Sequence, residues 1–148
     1  MDTLMDNPAF RTYAVCASIL AIKMIYSAVY TSTMRFKTKG FVNEEDARAA
    51  GDPSVKASAT ETPEVAHALR IQRNDGENIL PFFAIGLIYV LSGATTGGAT
   101  AYLWTFTIAR IVHTIVYTMQ LQPWRAISFG VGVLCMVGMS VQIIWAAL

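Results

Sequence analysis

Charged and aromatic polar side chains recur at helical spacing within stretches of this sequence that are otherwise apolar. Residues three, four or seven apart share one face of a helix, so two polar stripes are predicted, followed by one further arginine. The first stripe consists of Arg70, Arg73, Asn74 and Glu77. The second stripe consists of Arg110, His113 and Tyr117, and the further arginine is Arg125. Antiparallel packing of the helices would bring both stripes to a similar depth beside Arg125.

The charges of this predicted cluster do not balance. Its four arginines meet two nearby acids, Asp75 and Glu77, and Lys23 competes for the same carboxylates. Because guanidinium groups bind anions through paired hydrogen bonds, a surplus of arginine predicts an anionic ligand. The alternative is that these groups pair only with one another and with lipid headgroups.

The sequence does not contain the residue patterns that several other kinds of catalytic or binding site require. The sequence has no Gly-x-Ser-x-Gly motif, and no second His or Cys stands at metal-binding spacing, so no metal site is expected. Cys16 and Cys135 fall in apolar runs and are predicted to be buried and unreactive. A net charge of +1, without a basic stretch interleaved with aromatics, argues against nucleic-acid binding. The reactive group is therefore expected to come from a cofactor, such as a small peptide anion that carries a thiol.

The elements that position these residues are predicted to lie in a membrane. The chain has 148 residues, of which 54% are hydrophobic and 14% are charged. Residues 126–148 carry no charge, and a helix of this length covers about 35 Å, enough to cross a bilayer core. We predict an all-α protein, a four-transmembrane-helix bundle forming a single membrane domain over residues 1–148. The spans cover about residues 9–34, 64–91, 101–119 and 124–147, with a solvent loop over about 35–61.

Local signals predict where the helices start and how they cross the membrane. Asn7-Pro8 and Thr62-Pro63 each combine a capping side chain with a proline at the first helical position. The loop of residues 35–61 is rich in lysine and arginine, so the positive-inside rule places it in the cytosol and both termini on the other side. Asp2 and Asp6 stand where a cleaved signal peptide would be basic, so no such peptide is expected.

Four segments of the chain resemble motifs of the MAPEG superfamily, the membrane-associated proteins in eicosanoid and glutathione metabolism. Residues 70–82 (RIQRNDGENILPF) resemble the signature of that family's second helix, and the Arg-Asn-Asp-x-Glu-Asn core is specific. Residues 41–46, 109–117 and 125–129 resemble the family's first-loop motif, third-helix motif and start of the fourth helix. The match covers nearly the whole chain in order. The branch that it looks most like holds microsomal glutathione transferase and microsomal prostaglandin E synthase.

The resemblance implies a homotrimer of four-helix subunits with glutathione bound between neighbours. It also implies a lipophilic small-molecule substrate that enters from membrane lipid. Arg125 would be the catalytic residue, because a guanidinium beside a helix N-terminus favours the thiolate form of glutathione. By motif position, the residues that would bind glutathione are Arg35, Arg70, Arg73, Asn74, Glu77, Arg110, His113 and Tyr117.

Within this branch the residues favour a membrane-bound glutathione transferase with glutathione peroxidase activity. Ala126 and Phe129 stand where prostaglandin E synthase has serine and tyrosine, and both look more like the transferase. Ala47 replaces a cysteine of the mammalian transferase, and Gln72 replaces a histidine common to both branches. The alternatives are a prostaglandin E synthase-like isomerase and a non-catalytic membrane protein that binds lipid or glutathione, against which the retained Arg125 argues. The expected location is the endoplasmic reticulum in a eukaryote and the inner membrane in a bacterium.

Overall fold

Four long helices and one short helix make up the part of the chain that the structure describes. The computed structural model describes residues 3–148, so Asp2, on which the signal-peptide prediction partly rests, lies outside it. The helices are α1 (Pro8–Thr38), α2 (Glu44–Ala49), α3 (Pro63–Leu91), α4 (Thr96–Thr118) and α5 (Trp124–Ala147), preceded by a 3₁₀ turn at Leu4–Asp6. No strand occurs within residues 3–148, and the prediction of an all-α protein is confirmed.

Side-chain caps define the starts of α1 and α3, as the sequence predicts. Oδ1 of Asn7 accepts a hydrogen bond from the backbone N–H of Ala9 at 2.9 Å, and Pro8 occupies the first helical position. Oγ1 of Thr62 accepts a hydrogen bond from the N–H of Val65 at 3.4 Å, again ahead of a proline. Each cap gives a partner to an N–H group that the first turn of a helix leaves free.

Helix α4 begins at Thr96, earlier than the predicted start near residue 101. Oγ1 of Thr95 caps it by accepting a hydrogen bond from the N–H of Gly98 at 3.2 Å. A Cβ atom at Gly98 would lie only 3.0 Å from the hydroxyl oxygen of Tyr89, so a larger residue would require the Tyr89 side chain to shift. The turn itself uses Gly93, whose φ of +86° disfavours other residues. Gly97 and Gly98 therefore lie within α4, whereas Gly93 lies in the turn that precedes it.

The segment between α1 and α3 is more structured than a plain solvent loop. Helix α1 continues beyond residue 34 to Thr38 and ends at Lys39, whose φ of +53° is left-handed. Phe41, just before α2, is 2% exposed, and its ring packs edge-on against Phe36 with centroids 5.1 Å apart. Nζ of Lys39 donates a hydrogen bond to Asp52 at 2.8 Å, which lowers the pKa of the Asp52 carboxyl. These contacts fold the segment back onto the end of α1.

The core lies where the four long helices face one another. Helix α1 packs along α3 and α4, and α5 packs along α4 and α3. At the centre the rings of Phe82 and Phe106 stack with centroids 4.2 Å apart, and Met139 is fully buried. Cys16 and Cys135 are buried free thiols, as predicted. This packing fixes the relative depth of the polar stripes on α3 and α4.

Two helices, α1 and α5, are long and apolar enough to cross a membrane. Helix α1 has 31 residues and a mean hydropathy of 1.6 in its most apolar part, and α5 has 24 residues and a value of 2.0. At about 1.5 Å per residue, both exceed the roughly 30 Å thickness of a bilayer core. Large apolar side chains such as Ile22 and Leu134 are exposed on these helices, which suits contact with lipid. Helices α3 and α4 have 29 and 23 residues and carry the polar stripes.

Candidate functional site

A buried carboxylate, Asp75 of α3, ties three helices together. Its Oδ1 atom lies 2.6 Å from Nζ of Lys23 on α1 and 3.3 Å from Nη2 of Arg110 on α4. The hydroxyls of Ser27 and Thr114 donate hydrogen bonds to the same carboxylate, at 2.6 Å and 3.5 Å. Asp75 is 1% exposed and Arg110 is fully buried. Two basic side chains therefore share one buried carboxylate.

The two predicted polar stripes meet beside this cluster. Nη2 of Arg110 donates hydrogen bonds to the side-chain oxygen and the backbone oxygen of Asn74, so α4 is joined to α3 at this level. Arg110 was predicted to bind glutathione, and the structure places it inside the protomer, behind Asn74. Its Nε and Nη1 atoms have no hydrogen-bond partner within residues 3–148. Arg110 therefore positions Asn74 from the core side.

Arg125, in the first turn of α5, packs against Tyr117 at the end of the second stripe. Cζ of Arg125 lies 4.7 Å from the centre of the Tyr117 ring, a cation–π contact. Nδ1 of His113 lies 3.1 Å from the backbone oxygen of Arg125, and the imidazole ring lies 5.6 Å from the Tyr117 ring. Since a carbonyl oxygen only accepts, this contact assigns a proton to Nδ1 of His113. The structure thus brings Arg125, His113 and Tyr117 together, as predicted.

Arg70, Arg73 and Glu77 of the first stripe are exposed on the surface of the protomer. Within residues 3–148 none of these three side chains forms an ion pair. The acids that do form ion pairs are Glu44, Asp52, Glu61 and Asp75. The same face of α3 continues past the charges to the exposed side chains of Leu80 and Ile88. Charged groups on an apolar surface in a membrane need water or another protein chain to cover them.

Arg35, the remaining predicted site residue, has an acid partner of its own. Its Nη2 atom donates a hydrogen bond to Oε1 of Glu61 at 2.9 Å, and both side chains are partly exposed. This pair fastens the end of α1 to the residues that precede α3. The five arginines of the predicted site therefore fall into two groups. Arg35 and Arg110 are paired to acids, whereas Arg70, Arg73 and Arg125 have no acid partner within residues 3–148.

An apolar groove of about 470 Å³ runs between α4 and α5. Its walls include Ile108, Val112 and Ile127, which are exposed on the protomer. Ser128 also lines the groove, and its hydroxyl oxygen lies 3.2 Å from Nδ1 of His113. The groove therefore reaches from the apolar side of the bundle to the residues around Arg125.

Two features of this region were not predicted from the sequence. The ring of His67 on α3 lies 5.5 Å from the Tyr117 ring, and the hydroxyls of Ser27 and Thr114 surround Asp75. Spacing could have identified His67, because it lies three residues before Arg70 on the same face of α3. The two hydroxyl residues carry no comparable signal, since serine and threonine occur throughout membrane helices.

Comparisons with known proteins agree on one family. The model of the MAPEG family matches residues 13–145 of this chain. Prostaglandin E synthase from Homo sapiens is 34% identical over 145 residues, which cover 97% of this chain and 93% of that protein. Microsomal glutathione S-transferase 1 from Homo sapiens is 39% identical over 134 residues, which cover 89% of this chain and 86% of that protein. The match spans most of the sequence, and the chain belongs to the MAPEG family, as its motifs predict.

Proposed function

We propose that this protein is a membrane-bound glutathione transferase with glutathione peroxidase activity. The observation that carries the proposal is Arg125, which lies at the start of α5 against Tyr117 and has no acid partner within residues 3–148. Arg70 and Arg73 likewise have no acid partner, so the proposed site holds three arginines without an ion pair within residues 3–148. Such a surplus suits glutathione, which carries two carboxylates and one ammonium group. The name of the relative microsomal glutathione S-transferase 1 supports the same activity.

In the proposed reaction Arg125 stabilises the thiolate of glutathione. The guanidinium and the N-terminus of α5 both favour a negative charge at this place. In the transfer reaction the thiolate sulfur forms a bond to an electrophilic carbon, and the leaving group departs with the electron pair. In the peroxidase reaction the thiolate sulfur forms a bond to the terminal oxygen of a lipid hydroperoxide and the O–O bond breaks. The products are the sulfenic acid of glutathione and an alkoxide, which takes up a proton to become the alcohol. A second glutathione then converts the sulfenic acid to glutathione disulfide and water.

The other residues of the site hold glutathione in place. Arg70 and Arg73 suit its carboxylates, because charge-assisted hydrogen bonds to arginine are strong, and Glu77 suits its ammonium group. Asn74 and the His113–Tyr117 pair lie deeper in the site, and Arg110 acts through Asn74. The residues proposed to contact glutathione are Arg35, Arg70, Arg73, Asn74, Glu77, His113 and Tyr117, while Arg110 is proposed to act only by holding Asn74.

The site is completed in a homotrimer of four-span subunits. One protomer leaves Arg73 and Glu77 exposed, and lipid cannot satisfy such charges. A neighbouring subunit that packs over this face of α3 would enclose both the charges and the bound glutathione. In a closed trimer each subunit would cover the exposed charges of its neighbour in the same way.

The lipophilic substrate is proposed to enter through the groove between α4 and α5. The aliphatic walls of the groove would accommodate an apolar molecule that is dissolved in the bilayer. Ser128 places one end of this groove next to His113 and therefore near Arg125. A substrate in the groove could present its reactive atom to the thiolate without leaving the membrane.

The cofactor is tested by thermal unfolding of the detergent-solubilised protein. Glutathione and S-hexylglutathione should both raise the midpoint, since a ligand at a hundred times its Kd stabilises the folded state by about 2.7 kcal/mol. Turnover is then measured on a chlorinated aromatic compound and on a lipid hydroperoxide. The absence of a shift with either ligand at saturation would refute glutathione binding, and a shift without turnover would indicate a non-catalytic binding protein.

A second candidate, an isomerase that acts on a prostaglandin endoperoxide, is favoured by a specific observation. The relatives named prostaglandin E synthase match 97% of this chain, at 34% identity in Homo sapiens and 35% in Macaca fascicularis. This candidate uses the same thiolate, whose sulfur bonds to one oxygen of the endoperoxide while the O–O bond breaks and the other oxygen takes up a proton. Loss of the proton on the carbon that carries the sulfur-bound oxygen then forms a ketone and releases the thiolate, so glutathione is regenerated. Incubation with a prostaglandin endoperoxide separates the two functions, because only the isomerase yields product without consuming glutathione.

The orientation proposed for the protein places both termini on the non-cytosolic side. The lysine- and arginine-rich segment between α1 and α3 would then lie in the cytosol, within the endoplasmic reticulum membrane of a eukaryote or the inner membrane of a bacterium. Protease added to sealed vesicles with the cytosolic face outward should cut within residues 50–60. Protection of this segment, with cleavage at the C-terminus, would reverse the orientation.

A further inference from the structure

The connection between α4 and α5 places Gln122 beside the proposed catalytic arginine, Arg125. The backbone N–H of Leu121 donates a hydrogen bond to the backbone oxygen of Val116 at 2.9 Å, at the end of α4. The N–H of Arg125, in the first turn of α5, donates a hydrogen bond to the backbone oxygen of Leu121 at 3.1 Å. The connection is therefore fastened to both helices, and Gln122 lies within it.

The side-chain amide of Gln122 contacts one edge of the Arg125 guanidinium. The amide oxygen, and not the amide nitrogen, faces Arg125, because guanidinium nitrogen atoms only donate hydrogen bonds. This oxygen accepts one hydrogen bond from Nε at 3.1 Å and another from Nη2 at 2.7 Å. The cation–π contact with the Tyr117 ring, at 4.7 Å, sets the distance between the two groups but leaves the guanidinium free to rotate about that contact. The two hydrogen bonds to Gln122 fix this rotation.

The partner of Arg125 is a neutral group, unlike the partner of an arginine that forms an ion pair. Arg35, for comparison, donates a hydrogen bond to the carboxylate of Glu61 at 2.9 Å, and the two charges offset each other. The Gln122 amide orients Arg125 without offsetting its charge. The Nη1 atom of Arg125 forms no hydrogen bond within residues 3–148, so its two N–H groups can be donated to a bound anion.

We propose that Gln122 is a positioning residue that holds the Arg125 guanidinium in place for the thiolate of bound glutathione and leaves its positive charge available to that thiolate. This inference rests on the proposed function, because it takes the thiolate as the anion that Arg125 stabilises. Stabilisation of a negative charge is strongest when the donors are already held in the required geometry. A displacement of about 1 Å in such a group can cost on the order of a hundredfold in rate. Gln122 therefore acts on turnover more than on the binding of the rest of glutathione.

The test compares two substitutions of Gln122 in the detergent-solubilised protein. Gln122→Leu removes the acceptor at similar size, whereas Gln122→Glu keeps an acceptor and adds a charge that pairs with Arg125. Both should lower kcat at saturating glutathione by roughly tenfold to a hundredfold, and both should weaken the thiolate absorbance of the complex at neutral pH. The Kd of S-hexylglutathione should change much less than kcat, because this ligand has no thiol. The larger loss of thiolate signal is expected in Gln122→Glu, where a carboxylate offsets the charge of Arg125.

The matched control is Gln120→Glu, which adds the same charge two residues away. Gln120 is exposed in the same connection, and its side chain does not contact Arg125. This variant should keep the native kcat and the native thiolate absorbance. Equal losses in Gln120→Glu and Gln122→Glu would overturn the inference, because the added charge alone would then account for the effect.

The substitution by leucine decides between positioning and a general structural role. Native kcat and thiolate absorbance in Gln122→Leu would overturn the inference, and so would equal losses of kcat and of affinity for S-hexylglutathione, because Gln122 would then support the whole site. If Gln122→Leu does not fold, the comparison of Gln122→Glu with Gln120→Glu decides. Failure of the native protein to bind S-hexylglutathione would instead refute the proposed function and the inference with it.

Discussion

Arg125 and Arg73 belong to one proposed site but differ in their surroundings. Arg125 is half-buried in the first turn of α5 and packs on Tyr117, where it can act on a small anion such as a thiolate. Arg73 is exposed on α3, four residues before Glu77, and can reach a carboxylate farther from the reacting atom. The two arginines are therefore expected to support different steps.

Arg125→Ala should lose turnover while it still binds glutathione. Removal of one preorganised group that stabilises a developing anion costs about a hundredfold or more in kcat. Arg73→Ala should instead raise the Kd of glutathione, by about tenfold to a hundredfold for the loss of a charge-assisted hydrogen bond of about 1.5–3 kcal/mol. The measurements are kcat at saturating glutathione, the Kd, and the thiolate absorbance of the complex at neutral pH.

The matched control for both arginines is Arg48→Ala. Arg48 is an exposed arginine of α2 whose side chain is 77% accessible, and its contact with Glu44 is loose at 3.5 Å. This variant should keep the native kcat and the native Kd for glutathione. Full turnover in Arg125→Ala at saturating glutathione would show that Arg125 only packs against Tyr117, and the thiolate would then have to be stabilised by Tyr117 or another group.

At the level of residues, the sequence predicted which stripes would meet but not how their charges would pair. Helical spacing was sufficient to bring Asn74 to Arg110 and Tyr117 to Arg125, because spacing determines the face of a helix. The sequence named Lys23 as a competitor for Asp75 and Glu77, and the structure pairs it with Asp75; which of the two acids it meets depends on the rotation of α1 against α3. Spacing would have added His67 to the first stripe, three residues before Arg70, but its contact with the Tyr117 ring depends on how α3 packs against α4.

Among the helices, Asp75 is the point at which α1, α3 and α4 depend on one another. It lies on α3, forms ion pairs with Lys23 of α1 and Arg110 of α4, and accepts a hydrogen bond from Ser27. A buried ion pair contributes little net stability compared with apolar packing, whereas the loss of one partner leaves a buried charge uncompensated. The cluster thus makes the packing of three helices sensitive to one carboxylate.

Asp75→Ala should destabilise the protein by about 3–5 kcal/mol, because it leaves Lys23 and Arg110 buried without an acid. Lys23→Met should cost much less, since Asp75 would retain Arg110 and Ser27 as partners. Glu45→Ala, at an exposed position of α2, is the control that should leave the stability unchanged. The measurement is thermal unfolding in detergent without glutathione. Equal midpoints for Asp75→Ala and Glu45→Ala would show that the cluster does not hold the helices together.

The starts of helices were predicted best where a local group determines them. Asn7 and Thr62 cap α1 and α3 through hydrogen bonds within a few residues, so the sequence contains the whole signal. The start of α4 was placed too late, because the glycines around it indicate a turn by composition. Gly98 is in fact a helical residue whose small size serves a contact with Tyr89 on α3, and a tertiary contact of this kind has no local pattern.

On the scale of the whole molecule, the unpaired charges on α3 are the main argument for assembly. The exposed face runs from Arg70 through Arg73 and Glu77 to Leu80, which is 58% exposed. Lipid tails would leave the arginines and the glutamate without partners, whereas a second subunit could cover them. On α5, the exposed Leu134 lies among apolar residues only, as expected for a surface that faces lipid.

The purified protein in mild detergent should have the mass of three chains of 16.2 kDa each. Leu80→Trp should shift this trimer towards smaller species, because a larger side chain in a packed interface costs about 1–3 kcal/mol at every copy of the contact. Leu134→Trp makes the same change on the surface proposed to face lipid and should leave the trimer intact. The measurement is light scattering or native mass spectrometry over a range of protein concentrations. A monomeric, active native protein would refute the trimer, and equal masses for the two variants would place the subunit boundary on another face of the bundle.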